Sequence, residues 1–145
     1  MVSRIAWVDE DERIWSPERM MLLALGIEVE SFVDASAAYS ILGNGANGSH
    51  KLLILDVMLQ QGSDQAVFSD RATNMGSETG LILARKLCEA RADLPKILFF
   101  SRSTDPVIVA SIEKTAKELK AYYLKKSPKT SGPNFIIFLQ KNGLI

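Results

Sequence analysis

Four apolar runs in this chain end in residues that could do chemistry together. RIAWV leads into Asp9 and Glu10, KLLIL into Asp56, KILFF into Ser101, and AYYL into Lys125 and Lys126. A carboxylate can attack a phosphoryl group as a nucleophile. A hydroxyl and an ammonium can hold the oxygens of a transferred group, which is electrostatic rather than acid–base work. Three carboxylates drawn to one place would need compensation, since two unit charges about 4 Å apart cost about 4 kcal/mol at an effective dielectric of 20. Lys126 offsets part of that cost. Magnesium would offset more, because it prefers oxygen ligands and takes one or two carboxylates with waters and phosphate oxygens.

The elements that must position these residues are legible in outline. KLLILDVML (Lys51 to Leu59) reads as a strand buried on both faces. Asp56 then stands where the strand emerges at its carboxyl end, the place where open α/β sheets hold ligands. Arg4 to Val8 is a first strand, followed by a helix that ends at Leu25 with Gly26 as its stop. Ser16-Pro17 either starts that helix or kinks it, because proline suits a first helical position and costs about 3 kcal/mol in an interior. Ile27 to Val33 alternates and reads as a second strand. Asp34 or Ser36 caps a short helix through Leu42, and Gly43 to Ser49 has the glycine and asparagine chemistry of a loop.

Beyond Asp56, residues 60–79 are polar, glycine-bearing and without clear period. They read as a long loop of the kind that is functional or disordered, tacked down by Val67 and Phe68 with one short helical turn at most. Order returns with a helix over Leu81 to Arg91, a buried strand over Lys96 to Phe100, and a helix from Asp105-Pro106 to about Leu119. Ala121 to Lys126 is a fifth strand, and a turn over Ser127 to Pro133 leads to a last helix at Asn134 to Lys141.

Strands and helices alternate five times, which argues for parallel βαβ units with right-handed crossovers. The predicted fold is α/β: a doubly wound five-stranded parallel sheet, flavodoxin-like in order (2-1-3-4-5), with helices on both faces and residues 1–145 as a single domain. In that order the first, third, fourth and fifth strands deliver their carboxyl ends to one crevice. Composition narrows the function classes. Lys plus Arg and Asp plus Glu both total 17, giving zero net charge, so no basic footprint points to direct nucleic-acid binding. No apolar run approaches the roughly 20 residues of a membrane span, and the start lacks a signal-peptide pattern, so a cytoplasmic location is expected. Cys88, the one cysteine, falls in an apolar helical pattern and reads as core.

Taken in order, WVDED, LDVML, FFSRS and YYLKKSP resemble the motifs of the receiver domain of two-component response regulators, across nearly the whole chain. The resemblance implies that Asp56 is the phosphoacceptor, taking a phosphoryl group from a sensor histidine kinase or phosphotransfer protein. It implies that Glu10, with Asp9 through water, Asp56 and the main-chain carbonyl of Met58 hold magnesium. Ser101 would be the switch hydroxyl, Lys126 the lysine that pairs with the phosphoryl oxygens, and Tyr123 the aromatic switch three residues earlier. Such a domain promotes its own phosphorylation and dephosphorylation without being an enzyme in the ordinary sense. Its readout would be a shift of the face built by the fourth helix, fifth strand and fifth helix, read by a downstream partner the sequence does not name, with the chain a monomer or weak homodimer.

Several positions depart from that pattern. Gln60 stands where the family has proline, Ser127 where a cis-proline is common, and Glu10 where aspartate is commoner. Residues 60–79 far exceed the usual crossing, and resemble the glycine-bearing insertion of atypical receivers that closes in a Thr-Gly pair, here Thr79-Gly80. A mobile flap beside Asp56 is the functional expectation for them. The remaining polar and aromatic residues carry plainer expectations: His50 as a loop residue, Trp7 and Trp15 as packing with Trp7 close enough to Asp9 to serve as a probe, Asp11 and Glu12 as a solvated helix start, Asp64 and Asp70 as solvated loop. Two other functions remain open at this stage. One is a receiver-like interaction module that does not use phosphorylation. The other is an aspartate-nucleophile phosphohydrolase, disfavoured because Met58 stands where that class has a second acid.

Overall fold

The computed structural model describes residues 3–11, 14–44 and 50–145; Glu12 and most of the expected 43–49 loop lie outside them. Elements follow in the order β1 (Ser3–Val8), α1 (Ser16–Ala24), β2 (Ile27–Phe32), α2 (Ala35–Leu42), β3 (His50–Leu55), α3 (Thr79–Ala90), β4 (Lys96–Ser101), α4 (Pro106–Leu119), β5 (Tyr122–Lys125) and α5 (Pro133–Lys141). All pairings are parallel and the sheet order is β2-β1-β3-β4-β5. The doubly wound expectation therefore holds, with β2 and β5 as the edges.

Alternation along the strands divides the core in two. Ala6, Val8, Leu53, Leu55, Ile97 and Phe99 face α2, α3 and α4, while Ile5, Trp7, Leu52, Ile54, Leu98 and Phe100 face α1 and α5. Burial on both sides explains why β1, β3 and β4 are nearly unbroken apolar runs. Proline settles the start of α1: Pro17 occupies the first turn, so the helix begins at Ser16 with no kink. Asp34, not Ser36, caps α2, its carboxylate accepting from the Ala37 N–H at 2.7 Å.

Residues between β3 and α3 are tacked down by Phe68 as expected, but are more ordered than the long loop foreseen for them. Phe68 is fully buried in the α2–α4 core, edge-on to Tyr39 with ring centroids 5.9 Å apart. Thr73 is also fully buried; its hydroxyl donates to the Ser69 carbonyl and accepts from Gln61 Nε2 and the Gly76 N–H. Two backbone bonds, Phe68 to Asp64 and Thr73 to Ser69, close single helical turns. The carbonyls of Gln60 and Gln61 accept from the Ala35 and Ser36 N–H groups at the start of α2, donors a helix leaves free. Periodicity cannot reveal a segment of this kind, because it is held by two buried side chains and by backbone rather than by an apolar stripe.

One residue is corrected outright. His50 opens β3 instead of lying in a loop; it is 8% exposed, and its side chain reaches past β1 to put Nε2 2.7 Å from Glu30 Oε1 on β2. The expected fourth strand also gains one residue, Ser101.

Candidate functional site

Strand register brings the polar run ends together. The Asp56 N–H donates to the Val8 carbonyl at 2.9 Å, which continues the β1–β3 ladder and sets Asp56 beside Asp9. The Lys126 N–H donates to the Ser101 carbonyl at 2.7 Å and does the same for β4 and β5. The result is a cleft of about 270 Å³ lined by Asp9, Glu10, Asp11, Asp56, Met58, Ser101, Arg102 and Lys126.

Lys126 is the hub. Its Nζ lies 2.7 Å from Asp9 Oδ2 and 3.3 Å from Asp56 Oδ2, and its side chain is 6% exposed. Such an ammonium inside a cleft is stable only because both carboxylates flank it; removing one partner of a buried pair costs about 3–5 kcal/mol. This contact also settles the choice between neighbouring lysines, since Lys125 is exposed and Lys126 points into the site. Asp56 Oδ1 accepts from the Val57 N–H at 2.8 Å, leaving Oδ2 toward the cleft. Burial pushes the Asp56 carboxyl above its ordinary value; Lys126 pulls it back, and the Asp9 charge adds to the rise.

Asp9 is 2% exposed and held on both oxygens, by the Asp11 N–H at 2.9 Å on Oδ1 and by Lys126 and the Trp15 indole N–H (3.1 Å) on Oδ2. Glu10 is exposed at the mouth. Ser101 is buried, its Oγ accepting from the Ser103 N–H at 3.2 Å. Tyr123 stands apart from the cleft lining, half-buried on β5 against the α4 side, where burial and then the Glu113 charge raise its phenol. Asp64 and Asp70 accept hydrogen bonds within their own segment, from Val67 N and Gln61 Nε2. Asp11 lines the cleft and precedes α1 by several residues, so it is not the helix start expected of it.

The donor set bears on magnesium in particular. Among the described residues no three acidic, imidazole or thiolate side chains gather closely enough to enclose a metal. Magnesium seldom asks for that; one or two carboxylates with waters and substrate oxygens suffice. Asp9 and Asp56, bridged by a displaceable ammonium, with Glu10 and Met58 on the same wall, fit that requirement.

Two contributors escaped the sequence reading. Arg102 lines the cleft as a second cation, and its only sequence signal is its place one residue after Ser101. Trp15 was expected to pack, and it does, but its N–H also reaches Asp9. A third feature explains the Thr79-Gly80 pair: a Cβ on Gly80 would lie 1.8 Å from the Asp56 carbonyl oxygen. Only glycine lets α3 start against the Asp56 backbone.

No protein-family model matches the sequence, and no curated protein matches it. Solved structures do match the fold. A CheY-like response regulator receiver domain protein from Methanospirillum hungatei aligns over 99% of this chain and 94% of its own, at TM-score 0.68 and 20% identity. The response regulator TrrA from Thermotoga maritima, in complex with magnesium and beryllofluoride, aligns over 99% of this chain and all of its own, at TM-score 0.66 and 17% identity. The beryllofluoride-activated receiver domain of DrrB aligns at TM-score 0.62 and 20% identity, over 99% and 97%. A five-stranded parallel sheet in this order, covered end to end by such neighbours, gives the chain the fold of a response regulator receiver domain.

Proposed function

We propose that the chain, residues 1–145, is a phosphoacceptor signalling switch, modified on Asp56 by a histidine kinase or phosphotransfer protein in the cytoplasm. The observation that carries this reading is the Lys126 ammonium held between Asp9 and Asp56, 2.7 Å and 3.3 Å away, in a cleft shared with Glu10, Met58 and Ser101. One cation against two acids is an arrangement that an incoming dianion with its own metal can reorganise.

The residues have separate tasks. Asp56 Oδ2 forms the bond to phosphorus while the bond from phosphorus to the donor's imidazole nitrogen breaks, and the imidazole regains its proton from water. Lys126 swings from the acids to the phosphoryl oxygens, and Ser101, buried at the end of β4, turns its hydroxyl the same way. Magnesium, held by Asp9, Glu10, Asp56 and the Met58 carbonyl, would supply positive charge to those oxygens when bound. Occupancy then favours the conformer that makes these contacts, with Tyr123 and the α4–β5–α5 face as the expected reporters to a partner protein.

The test is labelling with acetyl phosphate and magnesium, read by intact mass. Wild type should gain one phosphoryl group and Asp56→Asn none. Label that persists in Asp56→Asn, or no label on wild type, would remove the assignment.

A further inference from the structure

We infer that Trp15 is a positioning residue of the acidic cleft, whose indole N–H keeps the Asp9 carboxylate in place when Lys126 leaves it. The inference rests on the phosphoacceptor reading and extends it to a residue outside the strand ends.

Asp9 Oδ2 accepts from two donors, Lys126 Nζ at 2.7 Å and Trp15 Nε1 at 3.1 Å. In this arrangement Lys126 is closer to Asp9 than to Asp56. To reach a phosphoryl group on Asp56 it must loosen from Asp9, and a carboxylate only 2% exposed is then left short of a donor. Trp15 supplies the one that remains on that oxygen. The ring can do so because it cannot turn away: it stacks on Trp7 (centroids 6.0 Å apart, planes 24° apart) and packs against Phe100 at 4.9 Å. Lys126 Nζ also lies 5.4 Å from the Trp15 ring and 5.5 Å from Phe100, aromatic faces that favour a cation beside the acids.

Packing alone accounts for the ring but not for the aim of its N–H. Trp7 makes the comparison: it belongs to the same stack, is fully buried, and its own N–H has no partner among the described residues. A ring in this core therefore holds its place without a hydrogen bond, and the bond from Trp15 to Asp9 is an addition.

Trp15→Phe keeps a ring and removes the donor. The maximal rate of acetyl phosphate labelling should fall about tenfold, the rate equivalent of one charge-assisted hydrogen bond, with the half-saturating donor concentration unchanged. A second readout needs no phosphorylation. Magnesium chloride alone should change the emission of Trp7→Phe, where Trp15 is the sole indole, and leave Trp15→Phe silent; should Trp7→Phe not fold, the difference between wild type and Trp15→Phe isolates the same signal. An unchanged maximal rate in Trp15→Phe, or Trp15 emission indifferent to magnesium, overturns the inference. If wild type takes no label while Trp15 emission answers magnesium, the phosphoacceptor reading falls and the tie between Trp15 and the acidic cleft stands.

Discussion

Gly80→Ala perturbs the Asp56 backbone without touching a polar side chain, and the space around Gly80 sets its cost. The added Cβ would lie 1.8 Å from the Asp56 carbonyl oxygen and 2.8 Å from both the Asp56 carbonyl carbon and Val57 Cα. Ordinary contact begins at 3.4 Å, so the start of α3 must retreat by about 1.6 Å or the Asp56–Val57 peptide must move by as much. Either motion strains the bond from the Gly80 N–H to the Val57 carbonyl, now 2.9 Å. Overpacking of this kind costs about 1–3 kcal/mol and one lost hydrogen bond about 0.5–1.5. The better helix propensity of alanine returns at most about 1 kcal/mol. The net loss is about 0.5–4.5 kcal/mol, with a middle value of about 2.5 that corresponds to roughly 5–10 °C in Tm for a chain of this size. Because Val57 N is the donor that orients Asp56 Oδ1, labelling by acetyl phosphate should also slow by about tenfold at temperatures far below Tm. Gly76→Ala is the control: at φ +88° it strains the backbone, but its nearest neighbour is Thr79 Oγ1 at 3.9 Å, so it should lose stability and keep its labelling rate. Wild-type Tm and labelling in Gly80→Ala would show that the close approach of α3 does not fix the acceptor.

Two further outcomes follow from burial. Asp56 holds its proton more tightly in the folded chain than in the unfolded one, chiefly through desolvation, so its contribution to stability is full below the unfolded carboxylate range and is lost as pH rises through the folded value. Asp56→Asn escapes that loss, and its Tm should gain on wild type as pH rises from the unfolded carboxylate range, about 4, up through the higher folded value; a difference that stays flat as pH rises would contradict the direction of the shift. Phe68→Ala empties a fully buried site and should cost about 3–4 kcal/mol. Limited proteolysis should then cut first within residues 60–79, and a cleavage pattern identical to wild type would mean that Phe68 is not what anchors the segment.

How much was legible depended on which force placed each residue. Asp9, Asp56, Ser101 and Lys126 end apolar runs, and strand ends in a doubly wound sheet are fixed by backbone ladders, so sequence alone predicts their meeting. The starts of α1 and α2 were legible to within two choices each for a similar reason, since Pro17 and Asp34 act on their own backbone. Trp15 was not, because the contact that gives it a role runs across a loop to Asp9, and an aromatic residue near a helix start looks the same whether or not its N–H is used. His50 misled for the opposite reason: a polar residue beside GNGANGS reads as loop, while Glu30 on β2, across the intervening β1, gives the buried ring a partner.

The segment over residues 60–79 bears on the site by a different route from the one its composition suggests. None of its residues lines the acidic cleft, whose walls come from the ends of β1, β3, β4 and β5. Its own anchors point the other way, to the start of α2 through the Gln60 and Gln61 carbonyls and into the core through Phe68. A flap closing over Asp56 would have to give up those contacts, and the buried aromatic alone is worth about 1.5–3 kcal/mol. The segment does end at Thr79-Gly80, where the chain lies against the Asp56 carbonyl. That backbone seat is where the segment meets Asp56 most closely. Phe68→Ala and Gly80→Ala should accordingly alter labelling in the same direction, the first more weakly because it acts at a distance through the chain.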